Sequence, residues 1–165
     1  MEIKINSHGL YAHFEVSEAG KLYLLHLGNR PEGPAVEEGK KKRFNASEIQ
    51  LTGKNQDDHH GAKHSGSSGV ESLRYVSHSL TENEIGQKLE FLLKDQDIEA
   101  TLHYQFYKDI SVVRCWTVVK NVSEANVGLD YVSSFSLTGI EEETPDEDLR
   151  VLIPHNYWLR EANWK

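Results

Sequence analysis

The sequence predicts an all-β protein built as an antiparallel β-sandwich, and three observations lead there. Residues 98–107 alternate, with Ile98, Ala100, Leu102, Tyr104 and Phe106 on one face and Glu99, Thr101, His103 and Gln105 on the other. That period of two marks a half-buried strand. Residues 112–119 and 129–138 continue the pattern in Val, Thr, Tyr, Phe and Trp, the residues that fit a pleated surface. Nowhere does an apolar helical stripe run longer than about two turns.

The remaining elements follow in chain order. Leu10, Ala12, Phe14 and Val16 alternate, and Ser17-Glu18-Ala19-Gly20 then turns the chain into residues 21–27, a hairpin. Residues 28–43, rich in Gly, Pro and charge, read as a loop, and 49–51 as a brief strand. Residues 53–69 have neither period and read as loop. Strand character resumes at 73–80 and 89–93, and Lys94-Asp95-Gln96-Asp97 turns the chain into the strand at Ile98. Residues 141–148 read as an exposed acidic turn around Thr144-Pro145. With no repeat and no low-complexity linker, residues 1–165 form a single β-sandwich domain or an incomplete amino-terminal part of one. Trp158 and Trp164 fall at the end of the chain, where domains are usually polar, so the expectation is a fragment of something longer.

Composition excludes several function classes. At 38% hydrophobic and 27% charged residues, the chain lies in the globular range rather than the disordered one. A net charge of −8 opposes nucleic-acid binding, which needs cations to displace counterions; the run Lys40–Arg43 reads as a solvated loop. No apolar run approaches the ~20 residues needed to span a bilayer, so no membrane partner is expected. Cys115 is the single cysteine, which excludes an internal disulfide; beside Trp116 in an apolar strand it reads as a structural thiol. The first residues lack a basic stretch followed by an apolar one. A cytoplasmic location is expected, and the sequons at Asn45 and Asn121 then carry no glycan.

Candidate chemistry is sparse. His59, His60 and His64 lie beside Asp57 and Asp58, but Gly61, Gly66 and Gly69 interrupt any helix through them. A zinc site needs three or four ligands in fixed geometry, so no metal is expected there, and no cofactor elsewhere. No local sequence marks the carboxylate pair of a glycosidase, a Gly-x-Ser-x-Gly elbow, or a phosphate or dinucleotide loop. No catalytic residue is therefore assigned. Tyr157, Trp158 and Trp164 are the candidate sugar contacts, since aromatic rings stack on the apolar faces of sugars. The competing reading has them sealing a sandwich edge or an interdomain contact.

The same residues carry a family resemblance. Leu73-Arg74-Tyr75-Val76-Ser77-His78, Leu102-His103-Tyr104-Gln105-Phe106-Tyr107, Val112-Val113-Arg114-Cys115-Trp116, Asn121 and Leu129–Phe135 come in the order seen at the amino terminus of bacterial α-galactosidases of glycoside hydrolase family 36. His155, Asn156, Trp158, Glu161 and Trp164 match a later pattern of that region. The resemblance covers most of the chain and is densest from Leu73 onward. It implies a large, supersandwich-like β-sandwich placed before a (β/α)8 barrel that holds the catalytic aspartates, so no aspartate here inherits a catalytic role. It further implies a non-catalytic domain that supports the barrel, helps assemble a homo-oligomer and lends loops to a neighbouring subunit's active site, with possible α-galactoside contact. Two alternatives stand beside it: a free-standing carbohydrate-binding module using Tyr157, Trp158 and Trp164, and a structural sandwich that touches no sugar.

Overall fold

The computed structural model describes residues 1–32, 43–54, 66 and 68–137, together with the backbone of residues 154–157 and 160–164. The acidic stretch 141–148, most of the loop 28–43, Trp158 and the three histidines His59, His60 and His64 lie outside the described residues.

Strands β1 (Glu2–Ser7), β2 (Leu10–Val16) and β3 (Leu22–Gly28) form one antiparallel sheet in that order. β1 was not foreseen. Its Ile3 and Ile5 face Phe14 and Ala12 across the pair, and His8-Gly9 closes the hairpin with φ of 49° and 82°. A two-residue turn with both residues left-handed matches the twist of the strands it joins.

The second sheet is a four-stranded meander of β5 (Arg74–Asn83), β6 (Gly86–Lys94), β7 (Ile98–Tyr107) and β8 (Val113–Asn121). A short antiparallel pair joins β4 (Ile49–Leu51) to β9 (Leu129–Val132), and β10 (Pro154–Tyr157) pairs with β11 (Arg160–Trp164). The last hairpin was not foreseen either. The one helix among the described residues, α1 (Ser68–Ser72), is five residues long; it takes Ser68 and Gly69 out of the stretch expected to be loop.

The two larger sheets pack face to face, as an antiparallel sandwich requires. The expected inner row of β7, from Ile98 to Phe106, is wholly buried. Leu89, Phe91 and Leu93 of β6 lie beside it, and Ala12, Phe14, Val16, Leu22 and Leu24 arrive from the facing sheet. Phe14 sits at the centre, its ring 4.7 Å from Phe91 and 5.0 Å from Tyr104. Burying side chains of this size contributes about 1.5–3 kcal/mol each, which makes this layer the main source of cohesion. Ile49, Leu51, Val70 and Leu73 extend the core under α1 and β4.

Polar staples hold the smaller pieces to this core. The buried Lys21 ammonium donates to Glu71 Oε2 at 2.8 Å and to the Val70 and Glu71 carbonyls, fastening α1 to the start of β3. Asp95 accepts from the Asp97 and Ile98 amides at 2.8 and 2.7 Å and from the Ser72 hydroxyl, setting the β6–β7 turn. Burial works to raise its pKa, but these hydrogen bonds prevail and hold it below the usual carboxylate value. Thr117 and Ser47 both donate to the Ser133 carbonyl at 2.9 Å, tying β8 to the β4–β9 pair.

β5 is an edge strand exposed along nearly its whole length; only Tyr75 is half-buried. The facing sheet covers β6 and β7, not this margin.

Candidate functional site

Antiparallel register decides which side chains meet on the outward face of the β5–β8 sheet. Glu90 of β6 lies opposite His103 of β7, and His103 lies opposite Trp116 of β8. One step along, Lys88, Gln105 and Arg114 form the next row. Directly opposed residues are close enough for their side chains to interact, and here they do. The His103 and Trp116 rings stack with centroids 4.7 Å apart and planes 11° off parallel. Lys88 Nζ and Arg114 Cζ lie 5.5 and 5.3 Å from the Trp116 ring, within cation–π range. Glu90 Oε1 sits 2.9 Å from Lys88 Nζ and 2.8 Å from His103 Nδ1, the latter out of line for a hydrogen bond.

This cover changes the polar face of β7. His103 and Gln105, expected on a half-exposed surface, are buried. Gln105 Nε2 donates to the Gln87 and Phe106 carbonyls, and its Oε1 accepts from Asn83 at 2.8 Å. Burial and the nearby Lys88 charge push the His103 pKa below its ordinary value against the opposing pull of Glu90, so the ring is neutral at pH 7. A histidine beside a carboxylate is able to serve as a general acid or base when a reacting group lies within hydrogen-bond reach, but this ring is stacked against Trp116. The arrangement presents an aromatic surface and charge, not a proton-transfer centre.

A second feature lies at the end of the sandwich where the β1–β2, β5–β6 and β7–β8 turns converge. The Lys108 amide donates to the Ile85 carbonyl at 2.8 Å, and the Ser111 hydroxyl to the His8 carbonyl at 3.2 Å. Between them is an open cleft of about 380 Å³, bordered by His8, Glu82, Asn83, Glu84, Gln87 and Lys108. Its side chains are polar or charged, and no Phe, Tyr or Trp borders it to stack on a sugar ring.

Of the candidate sugar contacts, Tyr157 falls on β10 and Trp164 on β11. The register pairs Tyr157 with Arg160 beside the turn and Trp164 with Pro154 at the open end. At ~3.3 Å per residue, the two backbone positions lie roughly 10 Å apart along the hairpin. Among the described residues, no group of three or more His, Cys, Asp or Glu side chains is placed to hold a metal. Cys115 is half-buried against the core, and burial raises its pKa to about 11, which keeps it a thiol rather than a nucleophile.

The His103–Trp116 pair escaped the sequence reading although its signal was present. A turn over residues 108–111 puts 103 and 116 at equal distance from its centre, so folding β7 onto β8 there makes them partners.

Fold and surface together define a sandwich-type domain of antiparallel sheets whose described polar clusters brace strands and present surface. The model of the glycosyl hydrolase family 36 N-terminal domain matches residues 22–165. The chain belongs to that family. No curated protein and no solved structure gives a significant match. Membership makes the chain a domain of a glycoside hydrolase and implies a catalytic domain in the same polypeptide.

Proposed function

We propose that this chain is the non-catalytic amino-terminal sandwich of an α-galactosidase-like enzyme, which supports the catalytic barrel and takes part in assembling a homo-oligomer. The observation that carries the reading is the family match across residues 22–165 on a core of two antiparallel sheets. A rigid sandwich with an exposed edge strand and a half-buried aromatic cluster outside its core suits a scaffold, since surfaces of this kind serve packing between domains and subunits. Loops that border a neighbouring subunit's active site complete the proposal, with α-galactosides as the substrate class. The cytoplasm is the proposed compartment, because a lone free thiol such as Cys115 persists in reducing surroundings.

The test is deletion of residues 1–165 from the parent polypeptide. Loss of soluble barrel, or of its oligomer, is the expected result; a barrel that stays fully active and identically assembled would overturn the reading. One observation favours a second reading, a carbohydrate-binding module: Tyr157 and Trp164 share the β10–β11 hairpin. Tight binding of free galactose by this chain, lost on Trp164→Ala, would establish it.

A further inference from the structure

One carboxylate oxygen serves two nitrogens on the outward face of the β5–β8 sheet. Glu90 Oε1 lies 2.9 Å from Lys88 Nζ and 2.8 Å from His103 Nδ1, yet that buried ring nitrogen has no hydrogen-bond partner among the described residues. While the imidazole is neutral, Lys88 balances the carboxylate. A proton on the ring makes two cations compete for one oxygen at nearly equal distance. The two differ in freedom. The His103 side chain is only 11% exposed and is held flat against Trp116, 4.7 Å away and 11° off parallel. The Lys88 side chain is 27% exposed and ends a flexible stem. The ring is fixed, and the ammonium can leave.

We propose that Lys88, Glu90, His103 and Trp116 form a pH-sensitive switch. Acidification puts one proton from solvent on His103, Glu90 turns to the charged ring, and Lys88 swings away from both the carboxylate and the Trp116 indole. Each charged group around the ring bears on this. Lys88 and Glu90 come from β6 and Arg114 from β8 beside Trp116, while the flanking β7 residues Thr101 and Gln105 do not titrate. Burial first, and then Lys88, disfavours the charged ring, and Glu90 favours it, so the midpoint lies below the ordinary histidine value of 6.5. Trp116 offsets part of the cost of the buried cation. Lys88 now stands 5.5 Å from its ring, and the stacked imidazolium takes over as the cation against the indole face. Above the transition the Lys88–Glu90 pair is closed. Below it the cluster gains one positive charge and turns Lys88 to solvent, in a pH range where few other side chains titrate.

Nuclear magnetic resonance of the whole chain, stepped from about pH 7.5 to about pH 5, tests the switch. The His103 imidazole signal, identified by its loss in His103→Gln, should titrate with a midpoint below 6.5. The Trp116 indole N–H signal, identified by Trp116→Phe, should move with the same midpoint and stand still in His103→Gln. Two charge variants read the shared carboxylate. Glu90→Gln should lower the midpoint and Lys88→Gln should raise it, each by about half a unit or more. Both side chains are partly exposed, so the fold should survive, and circular dichroism checks that. A ring that served packing alone would not give shifts of opposite sign. The switch would be overturned by a ring that takes no proton down to about pH 5 or by a Trp116 signal that stays still while His103 titrates. Midpoint shifts of the same sign in the two charge variants, or no shift in either, would overturn it as well.

Discussion

Replacing Phe14 by alanine should cost this protein a large part of its stability. The side chain is fully buried and lies between the two sheets, with its ring 4.7 Å from Phe91 and 5.0 Å from Tyr104. Phe→Ala in a core costs about 3–5 kcal/mol through lost transfer energy and the cavity left behind. The two ring contacts argue for the upper part of that range, since aromatic pairs add about 0.5–1.5 kcal/mol beyond burial. Backbone pairing of β2 with β1 and β3 limits collapse into the hole. A loss of ~4 kcal/mol is therefore expected, against a total of about 5–15 for a domain. Urea unfolding followed by circular dichroism reads it: with m near 2 kcal/mol/M, the midpoint should fall by roughly 2 M at unchanged slope. Val118→Ala on the outward face should move the midpoint by less than about 0.5 kcal/mol equivalent. A Phe14→Ala loss below about 1 kcal/mol would mean that the sheets do not meet through this ring.

Three further outcomes follow from the same core. Tyr104→Phe should be neutral or stabilise by about 1 kcal/mol, because the Tyr104 hydroxyl is buried with no hydrogen-bond partner among the described residues and burial drives its pKa far above the phenol range; a clear loss in urea unfolding would reveal a partner. Gly86→Ala should destabilise by ~2 kcal/mol or more, since Gly86 has φ of 142° and an added Cβ would lie 2.1 Å from the Phe106 carbonyl oxygen; a melting temperature within a degree or so of the parent's would refute that geometry. Burial holds the pKa values of His13 and His103 below the ordinary 6.5. Below pH 6.5 the unfolded chain therefore binds protons that the folded chain refuses, and their contribution to stability, full above that pH, is lost on acidification towards the folded values. Thermal melts from pH 7.5 to 5.5 should show a smaller drop for His103→Gln than for the parent chain, and equal drops would refute a buried neutral His103.

The inner half of the sandwich was legible because period two is a local property. Ile98 through Phe106 announce which side of β7 is buried, and the β2–β3 hairpin is marked by its alternation and by Gly20. What period two does not carry is the identity of the neighbour. His103 and Gln105 were placed correctly on the polar face, yet they are buried because Trp116 of the neighbouring β8 and Asn83 from β5, two strands away, come to cover them. β1 was missed because Ile3 and Ile5 are its only large apolar side chains, set among charged and polar neighbours, and they become a strand only when Phe14 and Ala12 pair with them. Lys21 was read as the first residue of a strand; it became a buried cation because α1, almost 50 residues away, ends its carbonyls there. The β10–β11 hairpin was read for its tryptophans rather than for its pairing, since Pro154 and the register shift between His155 and Tyr157 break the alternation.

The most direct measurement compares this chain alone with the same chain joined to the catalytic domain of its parent polypeptide, using an aryl α-galactoside as substrate. A retaining mechanism needs a nucleophile and an acid–base carboxyl on opposite sides of the anomeric centre about 5–5.5 Å apart, and the proposed division of labour puts both in the barrel. The joined polypeptide should release the aryl group while the isolated chain stays at the blank rate. Turnover by the isolated chain that survives repurification would contradict a non-catalytic sandwich.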